Sequence, residues 1–331
     1  MDNKPTLKEI AKATSLSIST VSRAMTNPEM VKASTRRKIE KAVMESQKHY
    51  SNSRTGMVAV IVPDVMNPFF PLMLTGIDSI SSLTDVTIIL CNSGGDTKKE
   101  DIILEKLLDT GIDGIIFIPS SDVSSFTQQV IKDNSVPIVF LDRNPGIDNV
   151  NMVSTGNFDG MYQATKYLVT LGHKDILFLG GRESTSTNKE RYQGYIKAME
   201  ESFDTPTAEP VYADYNFNKA YTAINKMIED HSFNFTAICS ANDVMALGAI
   251  KALNENKIRV PEDVSVIGYD DIPSAEYSGL TTVRQPFMEM GRNAMYQLTS
   301  MINDSRTPVK NTYLPTSIVF RSSCAINEKR R

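Results

Sequence analysis

Polar and aromatic side chains recur in this sequence where apolar, strand-like segments end. The set holds two carboxylates, three amides, two guanidinium groups and three aromatic rings: Asn67, Phe69, Phe70, Asp142, Arg143, Arg191, Tyr215, Asn242, Asp270 and Gln285. A hydroxyl group both donates and accepts, so it pairs with an acid on one side and with an amide or guanidinium on the other. An aromatic ring stacks on the apolar face of a sugar. These residue types therefore predict a site for a polyhydroxyl ligand.

Some of these residues, and several near them or elsewhere in the chain, also have purely structural interpretations. Asp243, next to Asn242, has the position of a helix cap. Phe69 and Phe70 at a helix start could belong to the core, and Asp271 is typical of a turn. Cys91, Cys239 and Cys324 form no paired motif, which indicates neither a disulfide framework nor a zinc site. No phosphate-binding glycine motif and no nucleophile–base pair occurs, so neither a nucleotide-binding protein nor an enzyme is predicted.

The elements that must position these side chains begin at Met57. From there strand-like segments such as MVAVIVPD, VTIILCN and VPIVFLD alternate with helical ones to the end of the chain. Such alternation predicts parallel sheets built from right-handed βαβ units, which bind ligands beyond the carboxyl ends of their strands. About ten strands exceed one sheet of ordinary size. The fold class predicted is α/β, with two doubly wound lobes.

A different pattern precedes this body. TLKEIAKATSLSISTVSRAMT (Thr6–Thr26) contains two short helical periods separated by a turn, with Thr6 and Glu9 spaced as a capping box. The first helix is apolar at Leu7, Ile10 and Ala11, and the second at Ile18, Val21 and Met25. A third helix is expected from about Ser34 to Gln47. The outer face of the second helix carries short hydroxyls and one guanidinium that can reach phosphates and base edges: Ser17, Ser19, Thr20, Ser22 and Arg23.

The amino-terminal segment and the rest of the chain carry opposite net charges. Residues 1–56 hold 11 Lys and Arg against 5 Asp and Glu, a net +6, and the remaining 275 residues carry −10. A basic head on an acidic body predicts that the head alone binds a polyanion. The two short helices therefore favour a helix-turn-helix bound to double-stranded DNA. The predicted DNA contacts are Thr6, Ser17, Ser19, Thr20, Ser22 and Arg23. No apolar run reaches the ~18 residues of a membrane span and no secretion signal follows Met1, so a cytoplasmic protein without a membrane partner is expected.

Motifs along the whole chain resemble the lac repressor (LacI/GalR) family. They are TLKEIAKATSLSISTVSRAMTN (Thr6–Asn27), VPDVMNPFF (Val62–Phe70), DGIIF (Asp113–Phe117), VPIVFLDR (Val136–Arg143), LGH (Leu171–His173), ERYQGY (Glu190–Tyr195), SANDVMALGA (Ser240–Ala249), VPEDVSVIGYDDIP (Val260–Pro273) and LTTVRQP (Leu280–Pro286). The resemblance implies a homodimeric repressor with a core like the periplasmic sugar-binding proteins and no cofactor beyond a small effector.

This resemblance also implies domain boundaries. Residues 1–50 would be the DNA-binding head, 51–56 a short linker and 57–331 the core. Within the core, a first lobe nearer the head would comprise 57–156 and 287–315, and a second lobe 157–286 and 316–331. The ten ligand-site residues named above look like those of ribose operon repressors, which implies ribose or a related sugar as an inducer. A polar residue expected near SGGD is replaced here by Gly94 or Gly95.

The linker departs from the family pattern. The family usually has a hinge helix here, with a leucine that wedges into the minor groove. Only YSNSRTG follows the third helix, without leucine, so neither leucine intercalation nor the usual hinge coupling is expected. The recognition helices of a dimer would still dock on a palindromic operator. Two alternatives remain at this point: a family regulator controlled mainly by a protein corepressor, and a core that binds a different sugar.

Overall fold

The chain forms three units: a small helical head and two α/β lobes. The computed structural model describes residues 7–26, 31–32, 34–36, 38–39, 41–42, 54–84, 86–203 and 208–328. The α/β fold class, with a helix-turn-helix head and two parallel-sheet lobes, is confirmed. Thr6, the end of the predicted third helix and residues 51–53 of the linker lie outside the described residues.

The head contains α1 (Leu7–Thr14) and α2 (Ile18–Thr26), and the described residues between 34 and 42 form part of a third helix, α3. One apolar cluster joins the three helices: Ile10, Ala11, Val21, Ala24, Ile39 and Ala42. Ile18 was predicted to be buried, but its side chain is 50% exposed. The buried stripe of α2 passes through Val21 and Ala24 instead, which lie three residues apart on one face.

The first lobe is a six-stranded parallel sheet with helices on both faces. Its strands are β1 (Met57–Val62), β2 (Thr87–Asn92), β3 (Gly114–Phe117), β4 (Ile138–Leu141), β5 (Asn151–Thr155) and β11 (Asn311–Leu314), in the order β11-β5-β4-β3-β1-β2. Its helices are α4 (Phe69–Ser81), α5 (Thr97–Asp109), α6 (Ser125–Lys132) and α12 (Phe287–Asn303). Val58, Val60 and Val62 pack in the cluster with α4 and α12, whereas Ala59 and Ile61 face α5 and α6. Burial on both faces accounts for the continuous apolar run of β1.

The second lobe repeats this plan. Its strands are β6 (Ile176–Gly180), β7 (Val211–Tyr212), β8 (Ala237–Ser240), β9 (Ser265–Asp270), β10 (Thr281–Arg284) and β12 (Ser317–Val319), in the order β12-β10-β9-β8-β6-β7. Its helices are α7 (Asn157–Thr170), α8 (Ser186–Glu200), α9 (Phe217–Glu229), α10 (Asp243–Glu255) and α11 (Pro273–Tyr277). Only β12 at the edge runs antiparallel to its neighbour, among the described strands.

The chain passes between the lobes in three places. It leaves the first sheet after Thr155, returns through Gln285 and Pro286 into α12, and crosses again between Leu314 and Ser317. The Thr155 hydroxyl donates to Gln285 Oε1 at 2.5 Å, which ties two of the crossing segments together. Movement of one lobe relative to the other is therefore confined to rotation about these short segments.

The end of the linker is bound to the first lobe. Arg54 donates from Nη1 to Asn303 Oδ1 at 2.9 Å and from Nη2 to the carbonyl of Ile302 at 2.5 Å. The Asp113 carboxylate accepts the amide N–H groups of Thr55 and Gly56. The chain therefore enters the core at the carboxyl end of α12. The guanidinium of Arg54 lies at this helix end, where the helix dipole favours positive charge.

Candidate functional site

A cavity of about 290 Å³ opens between the two lobes, beyond the carboxyl ends of their strands. Four of the predicted ligand-site residues line it: Asn67, Phe70, Arg143 and Tyr215. Asp142, Arg191, Asn242, Asp270 and Gln285 are at most 4% exposed. Phe69 is different, because it packs in the core of the first lobe. Its neighbour Phe70 belongs to that core and also borders the cavity.

In the first lobe, two turns present the polar groups. Asn67 Oδ1 accepts the amide N–H of Phe69 at 3.1 Å, which fixes the start of α4. Asp142 follows β4 with a φ of 68°, a left-handed conformation that turns the chain sharply at the strand end. Arg143 then donates from Nη1 to the carbonyl of Pro119 at 3.2 Å. The turn therefore brings a carboxylate and a guanidinium to the same edge of the sheet.

Arg143 also links the two lobes. Its guanidinium carbon lies 5.6 Å from the ring centre of Phe70 in the first lobe and 5.5 Å from that of Tyr215 in the second. Both distances are within the range of a cation–π interaction. The Tyr215 hydroxyl is within hydrogen-bond distance of the Thr185 and Thr187 hydroxyls, which hold the ring in place. A ring-shaped ligand at this point would meet aromatic surface from both sides.

The second lobe supplies a network around Arg191. Its Nε donates to Asn157 Oδ1 at 2.9 Å, its Nη1 donates to the carbonyl of Ala241 at 2.6 Å, and its guanidinium stacks on the Tyr269 ring at 3.8 Å. Asp270 Oδ1 lies 3.7 Å from Arg191 Nη1 and accepts a hydrogen bond from Gln285 Nε2 at 2.8 Å. The network holds the charged groups of the second lobe in fixed positions before any ligand binds.

Among the predicted ligand-site residues, three buried polar atoms have no hydrogen-bond partner within the described part of the chain: Asp142 Oδ1, Arg143 Nε and Asn242 Nδ2. They are one acceptor and two donors, contributed by both lobes. Leaving such atoms unpaired costs about 1–3 kcal/mol each, so native proteins rarely do so without a reason. Hydroxyl groups of a ligand are suited to both the donors and the acceptor.

The structure separates ligand-site candidates from residues that support the fold. Asn242 caps α10, since its Oδ1 accepts the amide N–H of Met245 at 2.9 Å. The cap expected at Asp243 is therefore wrong, and Asp243 instead accepts the amide N–H of Ile272 and the hydroxyl of Thr282. Asp271 lies at a turn with a φ of 60° and pairs with Arg284 and Arg321.

Burial changes the protonation of the acids at this site. Burial raises the pKa of Asp142, and the charges of Arg143 and Arg191 oppose this rise. Burial also raises the pKa of Asp270 to about 7, against the opposing effects of Arg191 and the Gln285 hydrogen bond. Burial raises the pKa of Asp243 well above its usual range, to which the nearby Asp270 charge contributes. Asp270 is therefore poised to change protonation near neutral pH.

Replacing Asp270 with asparagine should flatten the pH dependence of stability between pH 5 and 7. The folded protein keeps the Asp270 proton up to about pH 7, whereas the unfolded chain releases it near 3.8. The stability that the neutral acid contributes is therefore complete below the unfolded pKa and is lost as pH rises through the folded pKa. One such proton corresponds to about 1 kcal/mol per pH unit. Urea unfolding of both proteins across this range measures the slope, and equal slopes would contradict the assignment.

Sequence reasoning missed several residues that line the cavity: Asp64 and Pro63 beside Asn67, Arg182 after β6, and Asp214, Asn216 and Lys219 near Tyr215. Asp64 comes two residues after the end of β1, so it occupies a strand end like the predicted site residues. Arg182 follows β6 as Arg143 follows β4, so the same strand-end rule would have found it. The side chain of Arg182 reaches Gly95, at the place where a polar residue of the first lobe was expected.

The helix-turn-helix residues lie on α2 and at its start. Ser17 caps this helix, because its hydroxyl accepts the amide N–H of Thr20 at 3.2 Å and contacts the Ser19 hydroxyl at 2.9 Å. Ser19 and Arg23 are exposed, and Ser22 is half-buried. Short hydroxyls and one guanidinium therefore lie on the face of α2 opposite Val21. A DNA-binding helix needs such groups to contact phosphates and base edges.

Two family models match the chain. Residues 6–49 match bacterial regulatory proteins of the lacI family, and residues 165–324 match the periplasmic binding protein-like domain. The chain is 31% identical over 328 residues to the HTH-type transcriptional regulator RegA of Clostridium saccharobutylicum, covering 96% of this chain and 98% of that protein. Among the described residues, no helix is both long and apolar enough to cross a membrane.

Solved structures agree with these matches. A LacI family regulator from Enterococcus faecium with bound ribose has a TM-score of 0.74 and 27% identity, over 82% of this chain and 100% of that one. The lac repressor dimer bound to operator and an anti-inducer has a TM-score of 0.74 and 25% identity, over 97% and 99% of the two chains. The relatives are regulators rather than enzymes. This chain therefore belongs to the LacI family of transcription regulators, with a DNA-binding head and a ligand-binding core.

Proposed function

We propose that this protein is a homodimeric repressor of a sugar-utilisation operon, whose affinity for a palindromic operator is switched by a ribose-like sugar bound between the lobes. The observation that carries the proposal is the set of three unpartnered buried atoms on Asp142, Arg143 and Asn242, contributed by both lobes. Hydroxyls of a single sugar ring would satisfy all three. The ribose bound to the Enterococcus faecium regulator supports a pentose as the first candidate.

The ten predicted residues are assigned to this effector site in three roles. Asn67, Asp142, Arg143, Arg191, Asn242, Asp270 and Gln285 would bind hydroxyls. Phe70 and Tyr215 would stack on the ring, and Phe69 would hold Phe70, since the two rings lie 5.7 Å apart edge to face. A ligand that bonds both lobes favours the closed arrangement by its differential affinity for it, and so it biases the orientation of the first lobe.

Helix α12 runs from the effector site to Arg54, near the end of the linker. It begins directly after Gln285 and Pro286, and Gln285 is bonded to Asp270 and Thr155 in the site. It ends at Asn303, where Arg54 of the linker binds Asn303 and the Ile302 carbonyl. A helix transmits a displacement along its axis as a rigid element. We therefore assign to α12 the coupling that the hinge helix provides elsewhere in the family.

Replacing Arg54 with alanine should reduce the effector-induced change in operator affinity several-fold without changing effector affinity. The variant loses the hydrogen bonds from the linker to the end of α12, whereas every effector-site residue is retained. Operator titration with and without saturating effector measures the response, and calorimetry measures effector binding. Arg306→Ala is the matched control, because Arg306 is a neighbouring arginine that bonds Asp304. A normal response in Arg54→Ala would refute the coupling route.

The experiment that tests the proposed function is calorimetry of the protein with D-ribose and then with pentoses, hexoses and their phosphates. Operator fragments selected from random DNA by the protein would be titrated with and without each compound that binds. Saturable binding of ribose with release of DNA is the expected result. Binding of another sugar would keep the repressor and replace its effector. Binding of no sugar, with intact DNA binding, would favour a protein corepressor.

A further inference from the structure

The cavity continues past the sugar-binding residues to a second cationic group. Arg182 follows β6 in the second lobe, and its Nη1 donates to the carbonyl of Gly95 in the first lobe at 2.6 Å. A side chain at position 95 would place its Cβ 2.7 Å from Arg182 Nη2 and would strain the backbone, since φ there is 76°. Glycine at position 95 thus leaves the room that the guanidinium occupies.

The charge of Arg182 is not balanced within the described protein. Arg143 lies 3.7 Å from Asp142, and Lys219 pairs with Asp214 at 2.5 Å. Among the cations that line the cavity, Arg182 is the one for which the described residues provide no carboxylate within ion-pair distance. The remaining acid of the lining, Asp64, is exposed and accepts the amide N–H of Met66.

The half-buried guanidinium of Arg182 has N–H groups left to donate to a ligand. It carries five N–H donors, and the Gly95 carbonyl accepts from one nitrogen. The planar fork of arginine matches the two oxygens of a carboxylate or a phosphate, and such charge-assisted bonds are about twice as strong as neutral ones. An oxyanion at this point would meet a cation that no acid of the lining neutralises.

We propose that Arg182 forms an anion subsite at the mouth of the cleft, so that the effector is a sugar carrying a carboxylate or phosphate group. The proposal rests on the proposed function, because it requires the sugar ring to occupy the site between Phe70 and Tyr215. The ring would bond the deep residues, and the charged group would extend toward Gly95 and Arg182. A carboxylate and a phosphate can both accept two hydrogen bonds from a guanidinium, and they differ in shape and charge.

The test compares sugars that share a ring and differ in charge. D-Glucose, D-glucuronate and D-glucose 6-phosphate form one set, and D-ribose with D-ribose 5-phosphate forms another. Calorimetry with the unmodified protein should give at least tenfold tighter binding for a charged member than for its neutral counterpart. The member that gains affinity identifies carboxylate or phosphate as the source. In Arg182→Gln the charged sugar should lose about ten- to hundredfold in affinity, and the neutral sugar less than about threefold.

Lys219→Gln is the matched control, because it removes one positive charge from the same cavity at a residue already paired with Asp214. It should keep the preference for the charged sugar. Equal affinity for charged and neutral sugars in the unmodified protein would overturn the subsite, as would an equal loss for both in Arg182→Gln. Binding of neutral sugars alone would remove the subsite and leave the proposed function standing. Binding of no member of either set would refute the subsite and would remove ribose as the effector.

Discussion

Replacing Arg143 with alanine is expected to weaken effector binding at least a hundredfold, on the order of 3 kcal/mol or more, while operator affinity without effector stays unchanged. The side chain supplies one of the three unpartnered buried atoms and a charge next to Asp142. Its guanidinium carbon also lies 5.6 Å from the ring centre of Phe70 and 5.5 Å from that of Tyr215, one ring from each lobe. The substitution would therefore remove hydrogen bonds to the ligand and a contact between the lobes at the same time.

Calorimetry measures the affinity of the variant for the effector. Titration with operator DNA in the absence of effector measures its operator affinity. Operator binding should be preserved because the side chains predicted to contact DNA lie on α2 of the head and at its start, outside the cleft. Arg259→Ala is a suitable control, since Arg259 is an exposed arginine of the second lobe paired with Asp263. A variant at Arg143 that still releases the operator at normal effector concentrations would contradict the assignment of the cleft as the effector site.

Replacing Gly194 with alanine should destabilise the second lobe by about 1–3 kcal/mol. Gly194 lies in α8, where an added Cβ would come 2.3 Å from the Phe158 carbonyl oxygen and 2.9 Å from the Tyr162 amide nitrogen. Both atoms belong to the backbone of α7, so they cannot move aside as a flexible side chain does. The two helices would have to separate, which outweighs the gain of up to about 1 kcal/mol that alanine brings to a helix.

Thermal unfolding should detect this change as a midpoint lowered by roughly 2–4 °C per kcal/mol for a domain of this size. The control is Gly156→Ala at the start of α7, because the nearest atom to an added Cβ there is 3.5 Å away. Gly156→Ala should leave the midpoint nearly unchanged. Equal midpoints for Gly194→Ala and the unmodified protein would mean that α7 and α8 tolerate a wider separation than their packing indicates.

Local pattern alone identified most of the secondary structure. The segments MVAVIVPD, VTIILCN and VPIVFLD, from which strands were predicted, contain β1, β2 and β4. Strands β5 and β10 and the helix α11 were missed. β5 (NMVST) and β10 (TTVR) mix polar with apolar residues, whereas the equally short β4 (IVFL) is continuously apolar, and α11 (PSAEY) spans too little of the chain to show a helical period. Strand β5 is recognisable only through its pairing with β4 and β11 in the sheet.

The sequence by itself determined the fold class, the charged head and the types of residue at the strand ends, because these depend on neighbours along the chain. Only the tertiary structure decided which groups meet. Arg182 bonds Gly95 across 87 residues of sequence, and Gln285 is bonded to Thr155 across 130. Burial likewise sets the pKa of Asp270 at about 7, which no local pattern reveals. Such contacts depend on how the two lobes are placed relative to each other, and that placement depends on the whole chain at once.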